Sequence, residues 1–138
     1  MKYISTRGGD ISVTSAFAIK QGLSPDKGLF MPEKIPSVDL SFIGKLSSLS
    51  YEERAAKILS LFLDDFSYEE LTADAVAAYS KEKFGSSPAP VRDIGDNISI
   101  LELWHGPTSA FKDMALQIMP RLFSRSIKKC GEGRKAII

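Results

Sequence analysis

ISILELWHGPTSAFKD, residues 98–113, is the stretch that decides the fold. Its first half is rich in β-branched residues and follows a turn, so we expect a strand over residues 98–103. A helix is predicted to begin near Thr108 or Ser109 and to be interrupted or kinked at Pro120, because proline lacks the N–H that a helix interior requires. A strand, a loop and a helix in this order indicate an α/β unit.

Upstream of this stretch, residues 1–93 are predicted to be mostly helical. Ser50 with Glu53, and Ser67 with Glu70, have the spacing of a capping box. In this motif the side chain of each residue accepts a hydrogen bond from the backbone N–H of the other. Each pair therefore indicates the start of a helix. Both helices carry an apolar stripe, and the short link between them predicts an antiparallel pair.

The remaining upstream segments are shorter. We expect a helix over residues 14–21 that ends at Gly22, a turn over residues 24–28, and an extended segment over residues 29–31. Residues 85–90 read GSSPAP, which combines helix breakers with small polar residues and has no periodic apolar positions. That segment is typical of a boundary.

The chain is therefore predicted to contain a helical region over residues 1–93 and an incomplete α/β domain over residues 94–138. The final residues Ala136-Ile137-Ile138 resemble the opening of a buried strand. We expect the chain to be the front part of a longer protein. An unpaired apolar strand edge also predicts that the 138-residue chain associates with itself.

Composition narrows the possible functions. Hydrophobic residues make up 43% of the chain, and 18 basic residues nearly balance 17 acidic ones. An ordinary globular protein is indicated, without the basic field that attracts nucleic acid or anionic membranes. No apolar stretch is long enough to span a bilayer and no secretory signal is visible, so we expect a cytoplasmic protein.

The only cysteine is Cys130 and the only histidine is His105, which leaves no internal disulfide and no transition-metal cluster. Carboxylates, lysines or an organic cofactor would have to perform any chemistry. Lys112 is the leading candidate, because a lysine in the first turn of a helix faces the positive end of the macrodipole. That field, together with desolvation by Phe111, would favour the neutral amine needed to attack a carbonyl. The alternative is a surface lysine paired with Asp113.

The string HGPTSAFKD at residues 105–113 resembles the lysine motif of the threonine synthases, which are pyridoxal-phosphate enzymes of fold type II. The segments TRG at residues 6–8 and GLSPDKGLFMP at residues 22–32 are also similar to segments typical of that family. The sequence departs from the family pattern at Lys27, where glycine is usual, and at Trp104, where phenylalanine is commoner.

This resemblance implies a fold type II domain whose first strand and lysine-bearing helix are present here. It implies pyridoxal 5'-phosphate as cofactor, held covalently by Lys112, and conversion of O-phospho-L-homoserine and water to L-threonine and phosphate. The fragment alone is expected to be inactive, because most of the cofactor site would lie beyond residue 138. Residues that could contact the substrate or support the site are Thr6, Arg7, His105, Thr108, Ser109 and Asp113.

Several alternatives stay open. His105 could be a structural residue that only makes a hydrogen bond, and the hydroxyls of Thr108 and Ser109 could serve as helix caps. Arg7 would suit an anionic substrate but could also be an ordinary surface charge. The protein as a whole could be a related fold type II lyase, a threonine-synthase-like phospho-lyase, or a noncatalytic assembly module.

Overall fold

The computed structural model describes residues 1–133, which form a mixed α/β structure. The elements in chain order are β1 Tyr3–Ser5, β2 Ser12–Val13, α1 Ser15–Gln21, β3 Phe30–Pro32, α2 Leu40–Leu46, α3 Tyr51–Phe62, α4 Tyr68–Ala78, α5 Lys81–Phe84, β4 Val91–Gly95, β5 Ile98–Leu101, α6 Asp113–Leu116 and α7 Met119–Lys129. Strands β2, β1 and β3 form one antiparallel sheet, in that order, and β4 with β5 forms a hairpin.

The core of the molecule is helical. Helix α3 packs against α4, and α7 packs against both α1 and α4. Small side chains at the contacts let the helices approach closely, and larger apolar side chains fill the space between them. The buried apolar residues are Ala16, Ala56, Leu63, Phe66, Leu71, Ala75, Ala78, Tyr79, Phe84, Ile118 and Leu122.

Both predicted capping boxes are confirmed. In each, the serine hydroxyl accepts the backbone N–H of the glutamate, and the glutamate carboxylate accepts the backbone N–H of the serine. The predicted helix over residues 14–21 is also confirmed, with Thr14 as its N-cap and Gly22 at its end. These predictions succeeded because they depend on residues within one helical turn of each other.

Helices α4 and α7 are also joined by charge. The carboxylate of Asp74 is 95% buried and accepts hydrogen bonds from Nε and Nη2 of Arg125, at 2.5 and 3.1 Å. Glu70 adds an ion pair to Lys129, with 2.7 Å between the carboxylate oxygen and Nζ. The Lys129 hydrogen bond, followed by the Ser67 N–H, holds the pKa of Glu70 below its usual value.

Three sequence predictions are wrong in detail. The strand over residues 98–103 ends at Leu101, and its partner is the antiparallel strand β4, which the sequence did not predict. Helix α2 was also missed. The helix expected from Thr108 or Ser109 begins only at Asp113 as the four-residue α6, and it ends before α7 begins at Met119. The break therefore precedes Pro120, which lies in the first turn of α7, where its missing N–H breaks no helical hydrogen bond.

The hairpin β4–β5 extends across the predicted boundary between residues 93 and 94, and all of its residues are exposed. The division into regions 1–93 and 94–138 stays a prediction. The strand predicted at residues 136–138 lies outside the described residues, and the self-association that depends on it also stays a prediction.

Candidate functional site

The residues predicted to carry chemistry lie mainly in the connection between β5 and α6. We call residues 102–112 the lysine loop. Turn-type backbone hydrogen bonds run through its second half, from Ser109 N–H to the Gly106 carbonyl and from Asp113 N–H to the Ala110 carbonyl. The backbone of Ser109 has a φ of +57°, in the left-handed region that favours glycine. The loop is therefore a series of defined turns that bring its two halves together.

Asp113 fastens this loop. Its side chain is 1% exposed, and its carboxylate accepts the Thr108 N–H at 2.7 Å and the Thr108 hydroxyl at 2.8 Å. Burial raises the pKa of Asp113, but the hydrogen bonds from Thr108 and from the Ala110 backbone outweigh it, so the pKa lies below its usual value. The carboxylate is therefore ionised at neutral pH and both of its oxygens have donors.

Gly106 makes this arrangement possible. A Cβ atom at this position would lie 2.8 Å from Cγ of Asp113 and closer still to Cβ of the same side chain. Only glycine leaves room for the Asp113 side chain, so the requirement here is steric space.

Lys112 is exposed, and among residues 1–133 its amine has no hydrogen-bond or ion-pair partner. The alternative in which Lys112 pairs with Asp113 is wrong, because Thr108 occupies that carboxylate. The expectation that Lys112 lies within the first turn of a long helix is also wrong. Lys112 immediately precedes a four-residue helix, which is too short to support an argument from the macrodipole.

His105 lies on the other side of Gly106. Its Nε2 is 2.7 Å from a carboxylate oxygen of Glu102, and its ring stacks on that of Trp104 with the centroids 5.7 Å apart. Glu102 fixes the orientation of the imidazole, so His105 has the structural hydrogen bond that the sequence left as one alternative. The sequence did not single out Glu102, although its spacing of three residues from His105 was the available signal.

Thr6 and Arg7 belong to a second group, near the N-terminus. The hydroxyl of Thr6 accepts the N–H of Leu29 at 2.9 Å, and the hydroxyl of Ser5 donates to Asp26 at 2.7 Å. The Ser5 hydroxyl, and then the Gly28 N–H, hold the pKa of Asp26 below its usual range. These bonds join Ser5 and Thr6 to residues 26–29. The predicted turn over residues 24–28 is confirmed, with backbone hydrogen bonds from Lys27 N–H to the Ser24 carbonyl and from Ser24 N–H to the Gly28 carbonyl.

The backbone of this turn shows why glycine is the usual residue in the family at position 27. Lys27 has a φ of +66°, a conformation that glycine adopts freely and other residues adopt at a cost. Gly28 is constrained by space, because a Cβ there would collide with the Ser5 hydroxyl. Arg7 is exposed, and in the part of the chain that the structure describes its side chain makes no ion pair, so it can meet an anion.

The structure thus brings Thr108 together with Asp113, and His105 together with Glu102. Ser109 contributes the left-handed turn and does not cap a helix. Within residues 1–133, no hydrogen bond or ion pair joins Thr6 or Arg7 to the lysine loop. The supporting residues that sequence reasoning missed are Glu102, Gly106, Ser5 and Asp26.

Further observations concern the rest of the described chain. A cavity of about 710 Å³ lies between the start of α3 and residues 85–89, and none of the predicted site residues lines it. Over the described 133 residues, no group of three or more metal-ligating side chains occurs, and no helix has the length and apolarity needed to cross a bilayer.

The mixed α/β structure that carries the lysine loop is similar to part of larger solved structures. Its structure aligns with a yeast threonine synthase at a TM-score of 0.85 and 34% identity, over 97% of this chain and 28% of that one. It also aligns with threonine synthase from Brucella melitensis, solved with PLP bound, at a TM-score of 0.87 and 32% identity, over 95% of this chain and 28% of that one.

Sequence comparisons agree. The family model described as "Threonine synthase N terminus" matches residues 2–79. Threonine synthase from Corynebacterium glutamicum is 40% identical over 96% of this chain and 29% of its own length, and threonine synthase-like 2 from Xenopus laevis is 35% identical over 94% and 28%. The chain belongs to the threonine synthase N-terminal family, and it spans less than a third of the length of these relatives.

Proposed function

We propose that the full-length protein carrying this segment is a threonine synthase, which converts O-phospho-L-homoserine and water to L-threonine and phosphate with pyridoxal 5'-phosphate as cofactor. The observation that carries the proposal is Lys112. Lys112 is exposed, its amine has no hydrogen-bond or ion-pair partner among residues 1–133, and it ends the lysine loop directly before Asp113, whose buried carboxylate accepts hydrogen bonds from Thr108. The neutral, deprotonated form of such an amine can form a covalent bond with an aldehyde.

In this proposal Lys112 holds the cofactor and is the proton carrier of the reaction. When bound, the cofactor supplies an electron sink for the elimination of phosphate and the addition of water. Once free of the cofactor, Nζ of Lys112 would take and return protons at the substrate carbons. Thr6, Arg7, His105, Thr108, Ser109 and Asp113 are proposed to contact the substrate or to support the site, and Arg7 has the charge suited to an anionic substrate.

The residues that bind the cofactor's phosphate and ring nitrogen are proposed to lie beyond residue 138. The 138-residue chain alone is therefore expected to release no phosphate from the substrate. A cytoplasmic location and the absence of nucleic-acid or membrane partners also stay predictions from the sequence.

A second candidate is a threonine-synthase-like phospho-lyase that acts on the same substrate but forms a different product. The similarity to the Xenopus laevis protein of that name favours keeping it. Measuring threonine and phosphate together distinguishes the two candidates, because a threonine synthase releases them in equal amounts. A noncatalytic assembly module would release neither.

The test of Lys112 uses the full-length protein. Borohydride reduction of the cofactor-loaded enzyme, followed by peptide mapping, should place the adduct on Lys112. Lys112→Ala should abolish that adduct and nearly all turnover. Lys45→Ala, which changes an exposed lysine on α2, should retain both. An adduct mapped to another lysine in the wild-type protein would end the assignment.

A further inference from the structure

The carboxylate of Asp113 is buried, and burying a charge costs free energy. A buried, ionised carboxylate is stable only when its oxygens have donors, and Asp113 obtains two of them from a single residue, Thr108. Any other placement of Thr108 would deprive this charge of those two donors. The pair therefore acts as a latch that closes a ring of six residues, 108–113, and we refer to it as the Thr108–Asp113 latch.

Lys112 is the last residue inside this ring. Its backbone has φ −63° and ψ −21°, and its carbonyl accepts the N–H groups of Ala115 and Leu116 at 3.0 and 2.8 Å. Helix α6 thus holds the C-terminal side of Lys112, while the latch holds the N-terminal side. Within residues 1–133 the amine of Lys112 has no hydrogen-bond or ion-pair partner that would orient it, so the backbone sets the direction in which the side chain leaves the loop.

We infer that Asp113 is a positioning residue for Lys112, acting through its hydrogen bonds to Thr108 to fix the turn from which the lysine side chain projects. The inference rests on the proposed function of Lys112. Asp113 has no direct part in the chemistry, since its side chain is enclosed within the loop and both oxygens are engaged. Its role is geometric, which distinguishes it from a proton donor or from a counter-ion for the amine.

The choice of variants follows from the donor pattern. Asn in place of Asp113 can still accept the Thr108 N–H through its oxygen and can donate its amide to the Thr108 hydroxyl. Ala can do neither. On the Thr108 side, Ser keeps both donors, while Val keeps the N–H and loses the hydroxyl. A positioning role therefore predicts that Asn and Ser preserve function and that Ala, and to a smaller extent Val, impair it.

The experiment uses the full-length enzyme below its unfolding temperature, with kcat corrected to the folded fraction. A misplacement of about 1 Å costs ~10²-fold in rate, so Asp113→Ala should reduce kcat by about that factor with KM changed by less than ~3-fold. Asp113→Asn should stay within ~10-fold of wild type, since it keeps the geometry. Asp96→Asn, in the exposed hairpin turn, is the matched control and should behave as wild type.

A second readout does not depend on turnover. Adding pyridoxal phosphate to the cofactor-free protein and following the absorption of the cofactor–lysine linkage measures how fast Lys112 reacts. That rate should fall for Asp113→Ala and be largely restored in Asp113→Asn. If the Ala variant fails to fold, Thr108→Val and Thr108→Ser provide the same comparison, with Val slower than Ser.

Each result is decisive. Asn and Ala variants that are equally inactive would show that the charge itself is needed and would overturn the inference. So would an Ala variant with the kcat and linkage rate of wild type, or equal rates for the Thr108→Val and Thr108→Ser variants. A wild-type adduct on a lysine other than Lys112 refutes the proposed function instead, and with it the reason for any positioning.

Discussion

Replacing Gly106 by alanine tests how closely the lysine loop is packed. The new Cβ would lie 2.8 Å from Cγ of Asp113, whereas carbon atoms in contact prefer roughly 3.5 Å or more. The Cβ of Asp113 would lie closer still, so the side chain would have to move away by more than about 0.7 Å on that comparison. Its hydrogen bonds to Thr108, at 2.7 and 2.8 Å, cannot both survive such a shift.

Two effects of different size are expected from Gly106→Ala. Overpacking of a closely packed site destabilises a protein by about 1–3 kcal/mol. Displacement of the turn that carries Lys112 should reduce kcat as well. A shift of about 1 Å corresponds to a loss of about 100-fold, judged from the sensitivity of rates to such misplacement.

Gly44→Ala is the matched control. Gly44 lies in helix α2, is exposed, and has no atom within 4 Å of where its Cβ would be. Alanine there should stabilise the helix by about 0.5–1 kcal/mol and leave kcat unchanged. Urea unfolding and steady-state turnover measure both variants. A Gly106→Ala protein as stable and as active as wild type would refute the packing argument.

Two further predictions concern the N-terminal region and the helical core. Lys27→Gly should raise the free energy of unfolding in urea by about 1 kcal/mol, because a residue with a Cβ then no longer has to adopt a left-handed conformation. An unchanged midpoint of urea unfolding would contradict this prediction. Burial, and then the neighbouring Tyr51, raise the pKa of Tyr79 to about 12, so folding keeps its hydroxyl neutral. That stabilisation is present below the unfolded value of 10.0 and lost as the pH rises through about 12. Urea midpoints should therefore fall over this range, and less steeply in Tyr79→Phe.

Much of the helical region could be predicted from the sequence because its signals are local. Ser50 and Ser67 each lie three residues from the glutamate that completes their capping boxes. Helix α2 was missed because it is only seven residues long, includes Gly44 and buries none of its residues fully. Strand β4 was missed because Arg92 and Asp93 interrupt its apolar residues, and only its pairing with β5 makes it a strand.

The candidate site shows the same division. Lys112 could be proposed from the sequence because its motif is contiguous and the family resemblance is specific. The role of the Thr108 hydroxyl differs from the one that the sequence suggests. A hydroxyl before a helix predicts a cap that accepts hydrogen bonds, but the Thr108 hydroxyl donates to the carboxylate of Asp113, five residues later. The close approach of Gly106 depends on the path of the whole loop, and no local pattern contains it.

Packing contacts and a hydrogen bond connect the helical region with the elements around the lysine loop, although residues 85–90 are typical of a boundary in the sequence. Helix α7, which follows the lysine loop, packs against α1, which follows the turn that carries Arg7. The Tyr79 hydroxyl also donates to the carbonyl of Met114 at 2.9 Å, which ties the end of α4 to α6, two residues after Lys112. Because no direct bond joins the two groups within residues 1–133, these helix contacts are what fix Arg7 relative to Lys112. The segment upstream of residue 93 is therefore the platform on which the lysine loop is held, and a substitution in its core can change the reactivity of Lys112 without touching the loop.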